Sequence, residues 1–330
     1  MAELRWNPIT KDWTMVASHR QARPTMPKDW CPFCPGSGKV PDHFDVLRYP
    51  NDFPALSVPP REPDDVASEP FFKVRPAYGR CEVLLYSPDH HGRVCDLSDA
   101  HVHKLAAMWR DIFDDMRADP NIKYVFIFEN KGEVVGVTMP HPHGQAYGYP
   151  FMPKKLEQEL ASAQEYHDDN GDCLFCDMLA EEVKDGRRIV FRNEYFTAYI
   201  PFSSPLTYGI HVTANRHVPH LSAMTKEELD ALGQTVRDVA GMYDSLFDTS
   251  FPYMMCMHNA PVNTEDDEAV NKAFHFHIEF IPPMRSGTVQ QFFASSETGA
   301  GVWCNPSSPE VKAEEMRAAY EKYCKEENAQ

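Results

Sequence analysis

His141-Pro142-His143-Gly144-Gln145, which follows the apolar run Tyr124-Val125-Phe126-Ile127-Phe128 by a short loop, is the passage from which this chain is best read. Pro142 drives His141 toward extended backbone, where side chains two residues apart leave the same face, so both imidazoles can address one site. Gly144 lets backbone N–H groups approach a ligand, and the Gln145 amide can donate to a phosphate oxygen. A neutral imidazole attacks an activated phosphate and yields an intermediate that a second acceptor discharges. A bare His-x-His pair is more often a metal site or a surface pair; with proline, glycine and glutamine in this order the passage points to phosphorus chemistry at a histidine.

Working outward, the chain writes one pattern twice. Cys31-Pro32-Phe33-Cys34 comes first, then an apolar run from Cys81 to Tyr86 leading into Ser87-Pro88-Asp89-His90. A helix is expected next, with Leu105, Met108, Trp109, Ile112, Phe113 and Met116 at helical spacing and Ser98 as N-cap. Tyr124 to Phe128 reads as a buried strand, and the histidine passage follows. The second half repeats this order with Cys173-Leu174-Phe175-Cys176, a strand near Ile210 to Thr213, and Ala214-Asn215-Arg216-His217. Thr225-Lys226-Glu227-Glu228 is a capping box, and Leu229, Leu232, Val236, Val239, Tyr243 and Leu246 form the stripe of its helix. Tyr253 to Met257 is the next strand. From Phe274 to Phe280 strict alternation puts His275, His277 and Glu279 on one face. The reading is α+β: two units, residues 1–153 and 154–330, whose sheets join, with the active site near the boundary. Residues 154 to 172 are expected to form an exposed connecting helix ending at Gly171, and 309 to 330 a charged surface helix.

Composition bounds the function. With 330 residues, 42% hydrophobic and 25% charged, the chain can bury a substantial core. A formal charge of −17 argues against a nucleic-acid or membrane-surface binder, which needs a basic field. An odd nine cysteines and an N-terminus, Met1-Ala2-Glu3-Leu4-Arg5-Trp6, without the apolar run of a secretory signal lead us to expect a reduced, cytoplasmic setting. No stretch approaches the ~18 to 20 apolar residues that cross a bilayer.

Cys31-x-x-Cys34 brings two thiolates within reach of one tetrahedral ion, and a redox pair or two buried thiols are its rivals. The zinc reading gains from His90 and His141, each at the end of an expected strand. Cys173, Cys176, His217 and His275 form a second set of the same types in the same order. Glu159, His220, His258 and His277 are surplus ligands there, and carboxylate with imidazole favours iron or zinc. A closed four-ligand ion has no open position for substrate, so such sites are scaffolding.

With these motifs in view, the chain resembles the galactose-1-phosphate uridylyltransferase family, a branch of the histidine-triad superfamily. The likeness runs from about Trp6 to Pro309 and is densest from Phe128-Glu129-Asn130-Lys131-Gly132 through Gln145. The stretches from Ser18 to Pro24, from Asn51 to Ala55, and Pro282-Pro283-Met284-Arg285-Ser286 also look like family motifs. The resemblance implies duplicated histidine-triad-like units with a mainly antiparallel sheet flanked by helices. It implies that His143 is the nucleophile, taking UMP from UDP-glucose, releasing glucose 1-phosphate, and passing UMP to galactose 1-phosphate to give UDP-galactose, a step of galactose metabolism. By the same likeness Gln145 donates to the uridylyl group, and Arg20, Arg23, Asn130, Gly136 and Thr138 hold phosphates. Asn51, Asp52 and Phe53 look similar to the uridine and ribose contacts, and Gln291 and Glu297 stand at the sugar end. His141 becomes the fourth ligand of the first zinc with Cys31, Cys34 and His90, and a homodimer is implied.

Two departures from the family stand out. Some members hold the second metal by a glutamate and three histidines, matching Glu159, His258, His275 and His277, and lack the second cysteine pair. This chain has both sets, and the reading adopted is Cys173, Cys176, His217 and His275, holding zinc or iron. Val289-Gln290-Gln291-Phe292 stands where familiar members have an Arg-Lys pair, which leaves the hexose contacts less defined than the nucleotide contacts. The alternatives are a nucleotide-sugar phosphorylase or adenylyltransferase using the same histidine, and a non-catalytic, zinc-stabilised nucleotide-binding protein.

Overall fold

The computed structural model describes residues 2–22, 30–137 and 139–327, and in it the repeated order of the sequence becomes a repeated architecture. The first half contributes β1 (Ala2–Asn7), β2 (Asp12–Ala17), β3 (Leu47–Pro50), β4 (Val74–Pro76), β5 (Arg80–Leu85), α1 (Asp99–Arg117), β6 (Tyr124–Lys131) and β7 (His143–Tyr149). The second contributes α2 (Lys154–Asn170), α3 (Leu174–Asp185), β8 (Ile189–Arg192), β9 (Phe196–Tyr199), β10 (Ile210–Ala214), α4 (Lys226–Leu246), β11 (Tyr253–His258), α5 (Asp267–Ala273), β12 (His277–Ile281), α6 (Ser295–Ala300) and α7 (Pro309–Glu327).

Strands β2-β1-β4 form a small sheet, and the others form one nine-stranded antiparallel sheet in the order β3-β5-β7-β6-β11-β12-β10-β9-β8. The six strands around the β6–β11 seam are symmetric. β5-β7-β6 of the first half is mirrored by β11-β12-β10 of the second, and β6 pairs with β11 from Tyr253↔Lys131 to Met257↔Ile127. The two sheets therefore join by backbone hydrogen bonds.

One face of this sheet carries the core. Val125, Ile127, Ala146, Met255, Met257, Ile278 and Phe280 pack against the stripes of α1 and α4, where Trp109, Ile112, Phe113, Val236, Val239 and Tyr243 have no exposed surface. Each large side chain so buried is worth about 1.5–3 kcal/mol relative to exposure. The capping box that starts α4 is present, Glu228 N–H donating to Thr225 Oγ1 (3.3 Å) and Thr225 N–H to Glu228 Oε2 (2.7 Å). At Gly233 the helices approach so closely that a Cβ would lie 2.4 Å from the Val102 carbonyl of α1.

Three expectations change. The C-terminal helix is no surface appendage, because Ala313, Met316, Ala319 and Tyr323 of α7 enter the main core. Gly241 of α4 accommodates the Tyr323 ring. The connecting helix α2 ends at Gly171 (φ 78°) as expected, yet it buries Leu156 and Ala163 and sends Glu159 inward. Strand β12 begins only at His277: Phe276 N–H donates to Val218 O (2.6 Å), and His275 lies outside the ladder.

Candidate active site and metal centres

Opposite the helix-packed face, alternation along β7 presents His143, Gln145 and Tyr147, and the register sets Phe128 beside Gln145 on β6. His143 Nδ1–H donates to the carbonyl of His141 (2.8 Å), and in the neutral ring this tautomer carries its lone pair on Nε2. Tyr147 donates to Gln145 Oε1 (3.2 Å) and Arg20 donates to the Tyr147 hydroxyl (3.4 Å), so the amide N–H bonds of Gln145 remain as donors.

Two hollows meet at His143 and Gln145. One, of about 200 Å³, is lined by Arg20, Phe128, Asn130, Gly136, Val137, Met139, His143, Gln145 and Tyr147. Among its described lining residues the formal charge is the Arg20 guanidinium, which suits it to an anion. The other, of about 50 Å³, is lined by Pro32, Phe33, Tyr49, Asn51, Asp52, Phe53, Val83 and Met139 together with the same two side chains. Aromatic walls with a carboxylate suit a base and a ribose hydroxyl. Tyr49 donates to Asp52 (3.1 Å), and Asn51 Oδ1 accepts from Phe53 N–H (2.9 Å), which fixes that loop.

Most residues singled out in the sequence therefore come together. Arg23 and Thr138 lie outside the described residues. Gln291 and Glu297 line neither hollow: the Gln291 amide accepts from Thr207 N–H (2.9 Å) and donates to Pro282 O (2.8 Å), and Glu297 caps α6 through Ala294 N–H (3.0 Å). Tyr147, Met139, Phe33 and Tyr49 were not anticipated. Tyr147 was findable, since it continues the every-second-residue series of His143 and Gln145. Gly144 needs a different explanation from the one its sequence suggested. It points to the helix face, where a Cβ would lie 2.2 Å from the Tyr86 hydroxyl, so packing and not ligand approach requires the glycine.

Cys31, Cys34, His90 and His141 bring one donor atom each within 4.8 Å of the others. The sulfur–nitrogen edges are 3.4 Å for Cys34–His90 and 3.8 Å for Cys31–His141 and Cys34–His141. A tetrahedral zinc with ordinary Zn–S and Zn–N bonds has such edges near ~3.6 Å. His141 Nε2–H donates to Ser87 O (2.7 Å), turning Nδ1 to the thiols. Burial pushes the Cys31 thiol up to about 11, a cost that a bound cation removes.

Cys173, Cys176, His217 and His275 make a second such group. Cys176 Sγ lies 3.6 Å from His217 Nδ1 and 3.2 Å from His275 Nδ1, and His217 Nε2–H donates to Asn271 O (2.8 Å). Hydrogen bonding from Cys176 draws the Cys173 thiol far down against its burial, and His217 and His275 add to this. Both donor sets fit a thiolate-loving ion such as zinc.

The glutamate-and-three-histidine alternative is divided by the fold. His275 joins the cysteines, while Glu159, His258 and His277 gather with Glu279 in a third group. There His277 Nδ1–H donates to the carbonyl of His275 (3.0 Å), repeating in the second half the bond between His143 and His141. Against burial, His258, His211 and Lys155 hold the Glu279 carboxyl well below its usual range, and Lys155 is ion-paired to it.

An imidazole standing between an anion hollow and an aromatic hollow, on a duplicated α+β scaffold with two Cys-Cys-His-His groups, is the arrangement of a nucleotidyltransferase. The family model of the galactose-1-phosphate uridyl transferase N-terminal domain matches residues 1–153, and that of its C-terminal domain matches 159–326. The chain belongs to the galactose-1-phosphate uridyl transferase family. The galactose-1-phosphate uridylyltransferase of Thermotoga maritima is 37% identical over 318 residues, covering 96% of this chain and 98% of that one. The Rattus norvegicus enzyme of the same name is 32% identical over 342 residues, covering 97% and 89%. A solved uridylyltransferase structure superposes with a TM-score of 0.88 at 28% identity, over 97% of this chain and 99% of that one. An ADP-glucose phosphorylase from Arabidopsis thaliana, solved with ADP-glucose, shares the fold at a TM-score of 0.74 and 22% identity, over 96% of this chain and 98% of that one.

Proposed function

We propose that this chain is a UDP-glucose–hexose-1-phosphate uridylyltransferase working by double displacement through His143. The observation that carries this reading is that His143 and Gln145 are shared by the anion hollow and the aromatic hollow. UDP-glucose then lies with uridine against Phe33, Asn51, Asp52 and Phe53, and its phosphates toward Arg20, Asn130 and Gly136, with Arg23 and Thr138 assigned to the same phosphates. His143 Nε2 attacks the α-phosphorus, the bond to the β-phosphate oxygen breaks, and glucose 1-phosphate leaves with the electron pair. The ring gains positive charge as it does so, and its Nδ1–H donates to His141 O in compensation. Gln145, held by Tyr147, donates to a non-bridging oxygen whose charge grows in the transition state. A phosphate oxygen of galactose 1-phosphate then attacks the same phosphorus, UDP-galactose departs, and the imidazole regains its lone pair.

Cys31, Cys34, His90 and His141 would hold a zinc, and Cys173, Cys176, His217 and His275 a second ion, zinc or iron. Closed sites of this kind supply rigidity: the first ties the residue two before the nucleophile to the Cys31 loop. In this reading residues 1–153 carry the nucleophile, and 154–330 form the second unit, with Gln291 and Glu297 at the sugar end. Because those two side chains lie away from His143 within one chain, a homodimer is the assembly in which they would serve it. The protein acts in the cytoplasm on small molecules, without nucleic acid or membrane. Among the described residues no helix is long and apolar enough to cross a membrane.

The test is to incubate the protein with UDP-glucose labelled in the uridine, map the acid-labile adduct, and find which acceptor discharges it. Label on His143 removed by galactose 1-phosphate and not by inorganic phosphate is the expected result. Discharge by phosphate instead would make the chain a phosphorylase, and exchange undiminished in His143→Ala would refute the mechanism.

A further inference from the structure

Beneath the nucleophile's strand, on the helix-packed side, lies a group of polar side chains that the chemistry above does not use. Glu129 of β6 sits directly across the ladder from Gly144, so its carboxyl and the vacant side-chain position of the glycine share that face. The position is filled by the Tyr86 hydroxyl. Tyr86 has no exposed surface and is fixed at three points: its N–H donates to Pro142 O (3.1 Å), His101 Nε2–H donates to its carbonyl (2.8 Å), and its ring meets the edge of Trp109 at 6.1 Å. On the far side of the carboxyl, the Tyr253 hydroxyl of β11 donates to Glu129 Oε1 (3.1 Å). Glu129 is 5% exposed, yet its Oε2, like the Tyr86 hydroxyl and the Trp109 indole N–H, is left without a hydrogen bond.

A buried carboxyl costs several kcal/mol unless something is gained by it. Here the apolar alternative is at hand, since Val125 and Ile127 occupy the same face of β6 four and two residues earlier. What distinguishes position 129 is its place. Moving along β7 from Tyr149, the core packing holds Ala146 from below, but Gly144 offers no side chain by which the core can grip the strand. The Tyr86 hydroxyl meets the backbone there, and the Glu129 carboxyl stands on the same face at the paired position of β6.

We propose that Tyr86 and Glu129 are positioning residues for uridylyl transfer, forming with Tyr253 a polar brace beneath Gly144 that sets the height of the His143–Gln145 segment against the bound phosphates. The inference rests on the reading of His143 as nucleophile for its catalytic consequence, and on packing alone for the brace itself. The charged and titratable groups facing Glu129 are Lys131 on its own strand, Asp244 on α4, Tyr253 on β11, and Tyr86. Burial pushes the Glu129 carboxyl up to about 7, with Asp244 adding to it and Lys131 opposing. Lys131 in turn is ion-paired to Asp244 (2.5 Å), so the brace is tied to both halves of the chain.

The experiment compares Glu129→Leu, Glu129→Gln and Tyr86→Phe in the intact, metal-loaded protein. Glucose 1-phosphate release is followed in a single turnover, with KM for UDP-glucose, zinc content and melting measured alongside. Glu129→Leu is expected to slow the first half-reaction about tenfold to hundredfold, the penalty of an ångström-scale misplacement, with KM changed less than about twofold. Glu129→Gln, which keeps the polar contacts, recovers most of that loss. Equal rates in wild type and Glu129→Leu, or equal losses in the Leu and Gln variants, would overturn the proposal. If wild type forms no adduct at His143, the uridylyl-transfer reading falls. The brace is then judged on the His143 Nδ1–H proton resonance, which Glu129→Leu shifts and Glu129→Gln preserves; a resonance unmoved by either variant, or by Tyr86→Phe should Glu129→Leu fail to fold, refutes it.

Discussion

Gly144→Ala adds one methyl group at the second residue of β7, next to the proposed nucleophile, and the structure says what that methyl meets. An ideal Cβ at this position falls 2.2 Å from Tyr86 Oη, 2.9 Å from its Cζ and 3.0 Å from Phe128 O. Ordinary contact distances require about 1.2 Å more room toward the hydroxyl, and overpacking of this kind costs about 1–3 kcal/mol of stability. Tyr86 has little room to swing aside, since its ring is fully buried against Trp109 and its backbone is held by Pro142 O and the His101 side chain. The strand must lift instead, and it carries His143 and Gln145 with it. A displacement of ~1 Å at the reacting atoms lowers the rate about a hundredfold, equivalent to about 2.7 kcal/mol of barrier. The assay is single-turnover release of glucose 1-phosphate, paired with denaturant unfolding of the same preparation. In a Tyr86→Phe background the nearest contact becomes the 2.9 Å one to the ring, so the alanine should do less damage there than alone. An alanine variant with wild-type rate and stability would show that Tyr86 does not pin this strand.

Burial pushes the Glu129 carboxyl up to about 7 from an ordinary 4.5, so the native state holds its proton more tightly than the unfolded chain. The resulting penalty is absent below about pH 4.5, grows through the interval and is complete above about pH 7, reaching about 3 kcal/mol at most. Glu129→Gln should therefore raise stability at pH 8 relative to wild type and leave it little changed at pH 4.5; a difference independent of pH in denaturant titrations would contradict this. Cys34→Ser removes one thiolate of the first group, and metal analysis should show the loss of about one equivalent per chain, with protease sensitivity appearing around His141. The fraction of that variant still active should keep the wild-type acceptor preference, and an altered preference would argue that the ion takes part in chemistry. Arg188, 5% exposed, donates to Glu182 (2.7 Å) and Glu310 (2.8 Å). Arg188→Met strands the Glu182 carboxylate in the interior and should cost about 3–5 kcal/mol in denaturant unfolding.

The features legible from sequence were those written in local pattern. Apolar stripes located α1 and α4, Thr225 and Glu228 located a helix start, and the doubled Cys-x-x-Cys and His-x-His order forecast a joined sheet. What the pattern hid depends on contacts made far along the chain. The apolar positions of α7 are diluted by charges, and only the Gly241 surface of α4 shows that Tyr323 is buried. Alternation from Phe274 to Phe280 suggested one face for His275 and His277, yet the backbone bond from Phe276 to Val218 delays the strand, so the two rings join different groups. Gly144 was read from its flexibility, whereas its need for space comes from Tyr86, fifty-eight residues earlier. Gln291 and Glu297 carried a family likeness, but nothing local revealed that their polar atoms serve Thr207, Pro282 and Ala294.

The matching bonds of His143 and His277 to the carbonyls two residues before them make the chain a fused pair of near-equivalent workbenches. At the second bench the ring is 3% exposed, Glu159 hangs over it from α2 with a carboxylate oxygen 3.9 Å from Nε2, and Glu279 adds more negative charge. Two carboxylates beside a buried ring leave no open anion site like the one at Arg20. The second imidazole is thus enclosed beneath a helix, so in the proposed reaction each chain offers one open station although its layout has two.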